Sequence, residues 1–198
     1  MSRFSRSLAI RRIRADEWAA IRALRIESTS DPDAAIAFLE RPDEVGARPD
    51  EFWIERARIA ASGDSVATLV ATRGDHWIGA LTVIVRQHGH TDHLGRPVAE
   101  RRADVVGVYV RPSERGRGVV DQLIATAAQW VAAQGLASVR LDVHRDNGRA
   151  QAAYRRVGFR PTGIVTSSAI GDEIEMELSL APPDPEADDG SAAGMVPT

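Results

Sequence analysis

The sequence predicts one α/β domain followed by a disordered tail. Apolar, β-rich runs alternate along the chain with stretches of helical periodicity. Gly, Pro and Asp clusters separate those runs at the spacings that turns need. From Ala181 the composition changes to APPDPEADDGSAAGMVPT, rich in Pro and acids and almost free of large apolar side chains, which cannot offset the entropy cost of ordering. The expected boundaries are 1–180 for the domain and 181–198 for the tail.

Leu8 to Ile13 alternates partly and reads as a first strand. Asp16 is placed to cap a helix from Glu17, with Trp18, Ile21, Leu24 and Arg25 at helical spacing, fading near Ser28-Thr29-Ser30. A second helical region is broken by Pro42 and Pro49. Its clearest part is Glu51 to Ala60, with Phe52, Ile54, Ala57 and Ile59 as apolar positions. Val66 to Thr72 and Trp77 to Val85 read as a hairpin around Arg73-Gly74-Asp75-His76. Gln87 to Arg101 is polar and reads as a long loop. Val105 to Val110 is the next strand. The helix after it carries Val120, Leu123, Ile124, Ala127 and Val131 on one face and ends at Gly135. Val139 to Val143 is a strand and Asn147 to Val157 a short helix stopped by Gly158. Phe159 to Val165 and Ile174 to Leu180 are the last strands.

Composition excludes several functions. The net charge of −3 gives no global attraction to nucleic acid. There is no Cys, so disulfides, thiolate chemistry and Cys-based metal sites are ruled out. No stretch approaches the roughly 18 apolar residues of a membrane span, and the N-terminus lacks the apolar run of a signal peptide. The expected location is the cytoplasm, with no membrane partner.

One stretch carries chemistry. The apolar run Val105 to Val110 stops at Pro112, a turn Arg115-Gly116-Arg117-Gly118 follows, and a helix pattern opens at Val119 and Val120. The first N–H groups of a helix have no internal partner, and the helix dipole adds positive charge there. The two glycines permit the dihedrals of an N–H nest, and the two arginines add fork-shaped donors. The ligand expected here bears phosphate.

Two segments make the chain resemble the GNAT acyltransferase superfamily, in element order from roughly Leu8 to Leu180. VYVRPSERGRGVVDQLI is similar to the family's acyl-CoA pyrophosphate loop, matched at Arg115 and Gly118, with Val120 at a position where relatives carry a small residue. LDVHRDNGRAQAAYRRVGF is similar to the later motif, through Asn147, Ala150, Tyr154, Gly158 and Phe159. The resemblance implies a mixed, mostly antiparallel sheet flanked by helices. It also implies a central strand splayed from the Val139 strand to admit acetyl-CoA, and direct acetyl transfer to a primary amine.

The acyl donor would lie along Val108, Tyr109 and Val110, on Arg115, Gly116, Arg117, Gly118, Val119 and Val120, and beside Asn147, Ala150 and Tyr154. Tyr154 would protonate the departing thiolate, since it lies seven residues after Asn147 and so on the same helix face. Asp104, at the start of the central strand, is a candidate base, and Glu27 a second. Asn147 is equally an N-cap. The acceptor is an amine-bearing small molecule or peptide, and family habit suggests a homodimer. An O-acetyltransferase or a non-catalytic acyl-CoA sensor are the alternatives closest to this reading.

A competing signal is His88-Gly89-His90-Thr91-Asp92-His93, which spells the H-x-H-x-D-H signature of metal-dependent hydrolases. The residues that should complete such a site are missing: only His76 and His144 remain, and Leu94-Gly95-Arg96-Pro97 does not start a helix. No metal ligands are assigned.

Overall fold

Seven strands join into one sheet, and the alternation of side chains within each strand decides which helices cover which face. The computed structural model describes residues 7–180. In chain order the elements are β1 (Leu8–Arg12), α1 (Trp18–Thr29), α2 (Pro42–Gly46), α3 (Asp50–Ala61), β2 (Val66–Arg73) and β3 (His76–Arg86). There follow β4 (Arg102–Val110), α4 (Val119–Ala133), β5 (Ser138–His144), α5 (Gly148–Arg156), β6 (Arg160–Ser168) and β7 (Gly171–Ser179). The sheet order is β1-β2-β3-β4-β5-β7-β6. Every pairing is antiparallel except β4 with β5. The tail expected from Ala181 lies outside the described residues. Among the described residues no helix is long and apolar enough to cross a membrane.

Leu81 and Val83 of β3, Val105 of β4 and Leu141 and Val143 of β5 face α4, whose Val119, Leu123, Ile124, Ala127 and Val131 bury one continuous stripe against them. Tyr154 and Phe159 close the same core. The opposite face of the β1–β4 half is covered by α1, α2 and α3, through Ile21, Val45, Trp53, Ala57 and Ala60. Over β5 and β7 that face has no helix among the described residues. Its polar side chains Asp142 and Glu175 meet Arg96 of the 87–101 loop instead.

Several sequence expectations are corrected. Asp16 caps nothing: a 3₁₀ turn (Ala15–Glu17) precedes α1, and Glu17 accepts from the Arg14 N–H at 2.8 Å and from Arg11 at 2.6 Å. On α3 the buried positions are Trp53, Ala57 and Ala60, spaced at i, i+4 and i+7. Phe52, Ile54 and Ile59 stay exposed, at 37 %, 44 % and 41 %. The central strand begins at Arg102 rather than Val105, because Arg102 and Asp104 enter the sheet as an ion pair (3.0 Å) that reads as loop by polarity. Strands β6 and β7 are longer than expected and meet at a tight turn.

Candidate functional site

The site begins where a ladder stops. β4 pairs with β5 only at Ala103↔Val139 and Asp104↔Arg140, so from Val105 onward the two strands part and the β5-facing edge of β4 has no strand partner among the described residues. β4 also bulges there: Thr82 pairs with Val106 and Ala80 with Tyr109, leaving Gly107 and Val108 opposite Leu81 alone. Gly107 sits at φ +63°, a conformation glycine adopts without strain. A glycine inside an apolar strand, as in Val105-Val106-Gly107-Val108, is the sequence signal of such a bulge.

The parting opens a cavity of about 800 Å³ that runs from the N-terminus of α4 to the space between α1, α3 and the 87–101 loop. Val108, Tyr109 and Val110 form its β4 wall; Arg115, Gly116, Gly118, Val119 and Val120 its α4 end; Asn147, Ala150 and Tyr154 its α5 wall. Gly116 and Gly118 stand at φ +73° and +74°, with open space where a Cβ would go, so their dihedrals rather than crowding ask for glycine. Val120 lines the cavity while packing partly on the α4 core. Arg117 is outside this wall, largely exposed, with Glu114 at 3.7 Å.

Arg115 is not a free cation. It donates to Asp31 at 2.6 Å and to the Val110 carbonyl at 3.0 Å, with Asp33 at 3.6 Å. Asp33 also pairs with Arg149 at 2.7 Å, and the Asn147 amide donates to the Ile36 carbonyl at 3.3 Å. The 31–36 segment is thus tied to both walls of the parted strands. An anion entering at α4 competes with Asp31 for Arg115. Asp31→Asn is therefore expected to tighten acetyl-CoA binding about three- to tenfold in calorimetry, since asparagine still accepts from Arg115 but turns a charged hydrogen bond into a neutral one, a difference of roughly 1 kcal/mol.

Asn147 caps α5, accepting from the Ala150 N–H at 3.1 Å, so both ends of its side chain are committed within the protein. Tyr154 is buried, with its ring 5.8 Å from Phe159, and its hydroxyl has no hydrogen-bond partner among the described residues. Burial raises its pKa well above the usual tyrosine value, so the hydroxyl stays protonated.

Asp104 does not face the cavity as a base would. It is buried beneath it, bonded to Arg86 at 2.9 Å and paired with Arg102 at 3.0 Å. Glu27 is held by Arg111 at 2.8 Å and by the Tyr109 hydroxyl at 3.3 Å. The titratable groups that do line the far half of the cavity include His93, Asp142 and Glu173. His93 Nε2 lies 3.6 Å from Asp142 Oδ2. Desolvation lowers the His93 pKa, leaving a neutral imidazole at neutral pH, and raises those of Asp142 and Glu173. Asp142 lies 49 positions after His93 in the chain, and no spacing rule joins them.

The H-x-H-x-D-H signature is dismantled by the same loop. Asp92 is buried, accepting from Arg96 at 2.7 Å and Arg102 at 2.8 Å. His88 Nδ1 bonds the Ala99 carbonyl at 2.7 Å, and His93 turns to Asp142. Among the described residues no group of three or more His, Cys, Asp or Glu is gathered to hold a metal ion.

The family model for the GNAT family of acetyltransferases matches residues 18–159. The chain belongs to the GNAT acetyltransferase family. Solved GNAT structures share its fold: an acetyltransferase from Streptococcus pneumoniae (TM-score 0.72, 19 % identity, 88 % of this chain and 100 % of that one) and the PaiA N-acetyltransferase of Thermoplasma acidophilum in complex with coenzyme A (0.67, 19 %, 87 % and 99 %). Among curated relatives, a mycothiol acetyltransferase of Clavibacter michiganensis subsp. michiganensis is 28 % identical over 150 residues, 76 % of this chain. An aminoglycoside N(6')-acetyltransferase type 1 of Salmonella typhimurium is 25 % identical over 114 residues, 58 % of this chain. The match spans 40 % of the Clavibacter protein and 76 % of the Salmonella one. The GNAT sheet expected from the motifs, mixed and mostly antiparallel with helices on both faces, is the sheet observed.

Proposed function

We propose that the protein is an N-acetyltransferase that moves the acetyl group of acetyl-CoA directly to a primary amine. The observation that carries this reading is the parting of β4 from β5 between the α4 N-terminus and the Tyr154 hydroxyl. The free edge of β4 offers main-chain groups to an amide-rich pantetheine arm, as an added strand would take them. The N–H groups at Val119 and Val120, with the Gly116-Arg117-Gly118 turn, suit the pyrophosphate. The acetyltransferase names of the curated relatives and the coenzyme A complex of a structural neighbour support the same ligand.

In the transfer, the neutral amine attacks the thioester carbon and a C–N bond forms. An N–H of β4 beside the Gly107 bulge polarises the carbonyl oxygen. The C–S bond then breaks, and Tyr154 gives its proton to the thiolate. The proton lost by the amine goes to His93, which Asp142 backs, in place of the buried Asp104. A lowered imidazole pKa keeps this base neutral, and so competent, to a pH below the ordinary histidine value of 6.5. A raised tyrosine pKa keeps the acid protonated above the ordinary 10.0. At saturating acceptor, kcat is expected to rise with pH through an apparent pKa below 6.5 and then stay level. His93→Ala should lower kcat roughly a hundredfold and abolish that acid limb. An acid limb unchanged in His93→Ala would remove His93 from the role.

Calorimetry tests the donor: acetyl-CoA should bind once per chain, and no heat at millimolar ligand would sink the reading.

A further inference from the structure

The half of the cavity away from α4 has two walls of opposite character. One is the His93, Asp142 and Glu173 wall, where Arg96 holds Asp142 at 2.7 and 3.0 Å while Glu173 accepts from Ser168 at 3.4 Å and pairs with no arginine among the described residues. The other is built by α1 and α3. There Arg25, Arg48 and Arg56 gather around a single acid, Glu40. Arg25 Nε donates to Glu40 at 2.9 Å, and Arg48 takes the other oxygen. Arg56 makes no hydrogen bond or ion pair among the described residues, and it lines the cavity with an accessible side chain. Desolvation and then repulsion from Arg25 depress its pKa against the attraction of Glu40, the acid it shares with Arg25 and Arg48.

Arg25 fixes where this wall stands relative to the chemistry. Its guanidinium is held over the Phe38 ring at 4.5 Å. Its Nη1, which Glu40 does not take, lies 3.6 Å from where a Cβ on Gly107 would be, beside the β4 bulge. A small molecule at the bulge therefore meets Arg25 and Arg56 on one side and the acidic wall on the other. An amine, as an N–H donor, answers the carboxyl groups; an anion answers the guanidinium fork. The available donors on the basic wall come from two planar guanidinium groups, which match the two oxygens of a carboxylate.

We propose that the acceptor is a primary amine that carries a carboxylate, bound with its amine toward His93 and Asp142 and its carboxylate on Arg56 and Arg25. This rests on the N-acetyltransferase reading and adds the substrate class to it. An amine of the same shape without the carboxylate would leave Arg56 only its share of Glu40, which Arg25 and Arg48 already hold.

The test measures thiol release from acetyl-CoA with α-, β- and γ-amino acids, each beside its own amide, so that charge changes while shape stays nearly constant. At least one acid should exceed its amide in kcat/KM by tenfold to a hundredfold, the range for a charged hydrogen bond. Arg56→Gln should bring that ratio close to one by slowing the acid more than the amide, and Arg56→Lys should retain part of it. Amides used as well as acids, or a ratio that survives in Arg56→Gln, would overturn the proposal. So would a panel in which no amine is acetylated. In that case calorimetry with acetyl-CoA shows whether the donor reading falls with it: binding retained confines the failure to the acceptor.

Discussion

Tyr154→Phe is expected to lower kcat by about a hundredfold while the dissociation constant for acetyl-CoA changes less than threefold. The magnitude is the low end of what a positioned proton donor contributes. The split follows from the hydroxyl's surroundings. It meets the cavity and has no hydrogen-bond partner among the described residues, so its removal breaks no internal bond. The ring carries the packing: it sits in the α4 core beside Phe159, and phenylalanine keeps that contact. The variant should melt at the same temperature or slightly higher, since an unbonded hydroxyl in a half-apolar site stabilises nothing. A merely structural tyrosine would give the opposite pattern, unchanged kcat with a lower Tm. Steady-state thiol release together with thermal melts separates the two.

Arg96→Met is expected to destabilise the protein by about 3–5 kcal/mol, the cost of breaking a buried ion pair by removing one partner. For a domain of this size that is a fall in Tm on the order of 10 °C. Arg96 joins the 87–101 loop to the sheet. It donates to Asp92 at 2.7 Å, to Asp142 at 2.7 and 3.0 Å and to Thr166 at 3.2 Å, with Glu175 at 3.5 Å. Methionine fills the stem's volume but leaves those acids facing one another.

The pH dependence is distinctive. In the native protein burial works to raise the Asp92 pKa, but the Arg96 and Leu94 N–H groups and the Arg96 side chain outweigh it and hold the value at about 2. Asp92 therefore contributes stability in full above its ordinary 3.8, and that contribution is lost as pH falls from 3.8 toward 2. Without Arg96 the acids bind protons more readily folded than in the native protein. The gap between variant and native protein should therefore narrow as pH falls from 6 toward 4. Because His93 is carried by the same loop, kcat should drop as well. A gap that widens on acidification would show that Arg96 does not hold these carboxylates apart.

What could be read from sequence was local. Helix α4 announced itself by apolar positions at helical spacing, of which Leu123, Ile124, Ala127 and Val131 are buried, while Val119 takes the place expected of Val120. The parting of the strands left its trace in the two motifs that flank it, around Arg115 and Asn147. What could not be read depended on partners far along the chain. Arg115 looks free until Asp31, 84 residues earlier, is found against it. The histidine run looks like a metal site until Arg96 and Arg102 claim Asp92 and His93 turns toward Asp142. Arg102 and Asp104 hid the first turns of β4 because buried ion pairs carry the polarity of loops. On α3, of the expected apolar positions Phe52, Ile54, Ala57 and Ile59 only Ala57 is buried; Trp53 and Ala60 share its face at i, i+4 and i+7 spacing. The acceptor half of the site is built almost wholly from such distant pairings, and so its chemistry emerged only in three dimensions.

The measurement that bears most directly on the account is amine-dependent release of coenzyme A thiol from acetyl-CoA by the purified full chain, with the acetylated product identified by mass. Release should saturate in both acetyl-CoA and a primary amine, with one acetylamide formed per thiol freed. Tight acetyl-CoA binding without any amine-dependent release would contradict it and leave the protein a binder of acyl-CoA rather than a transferase.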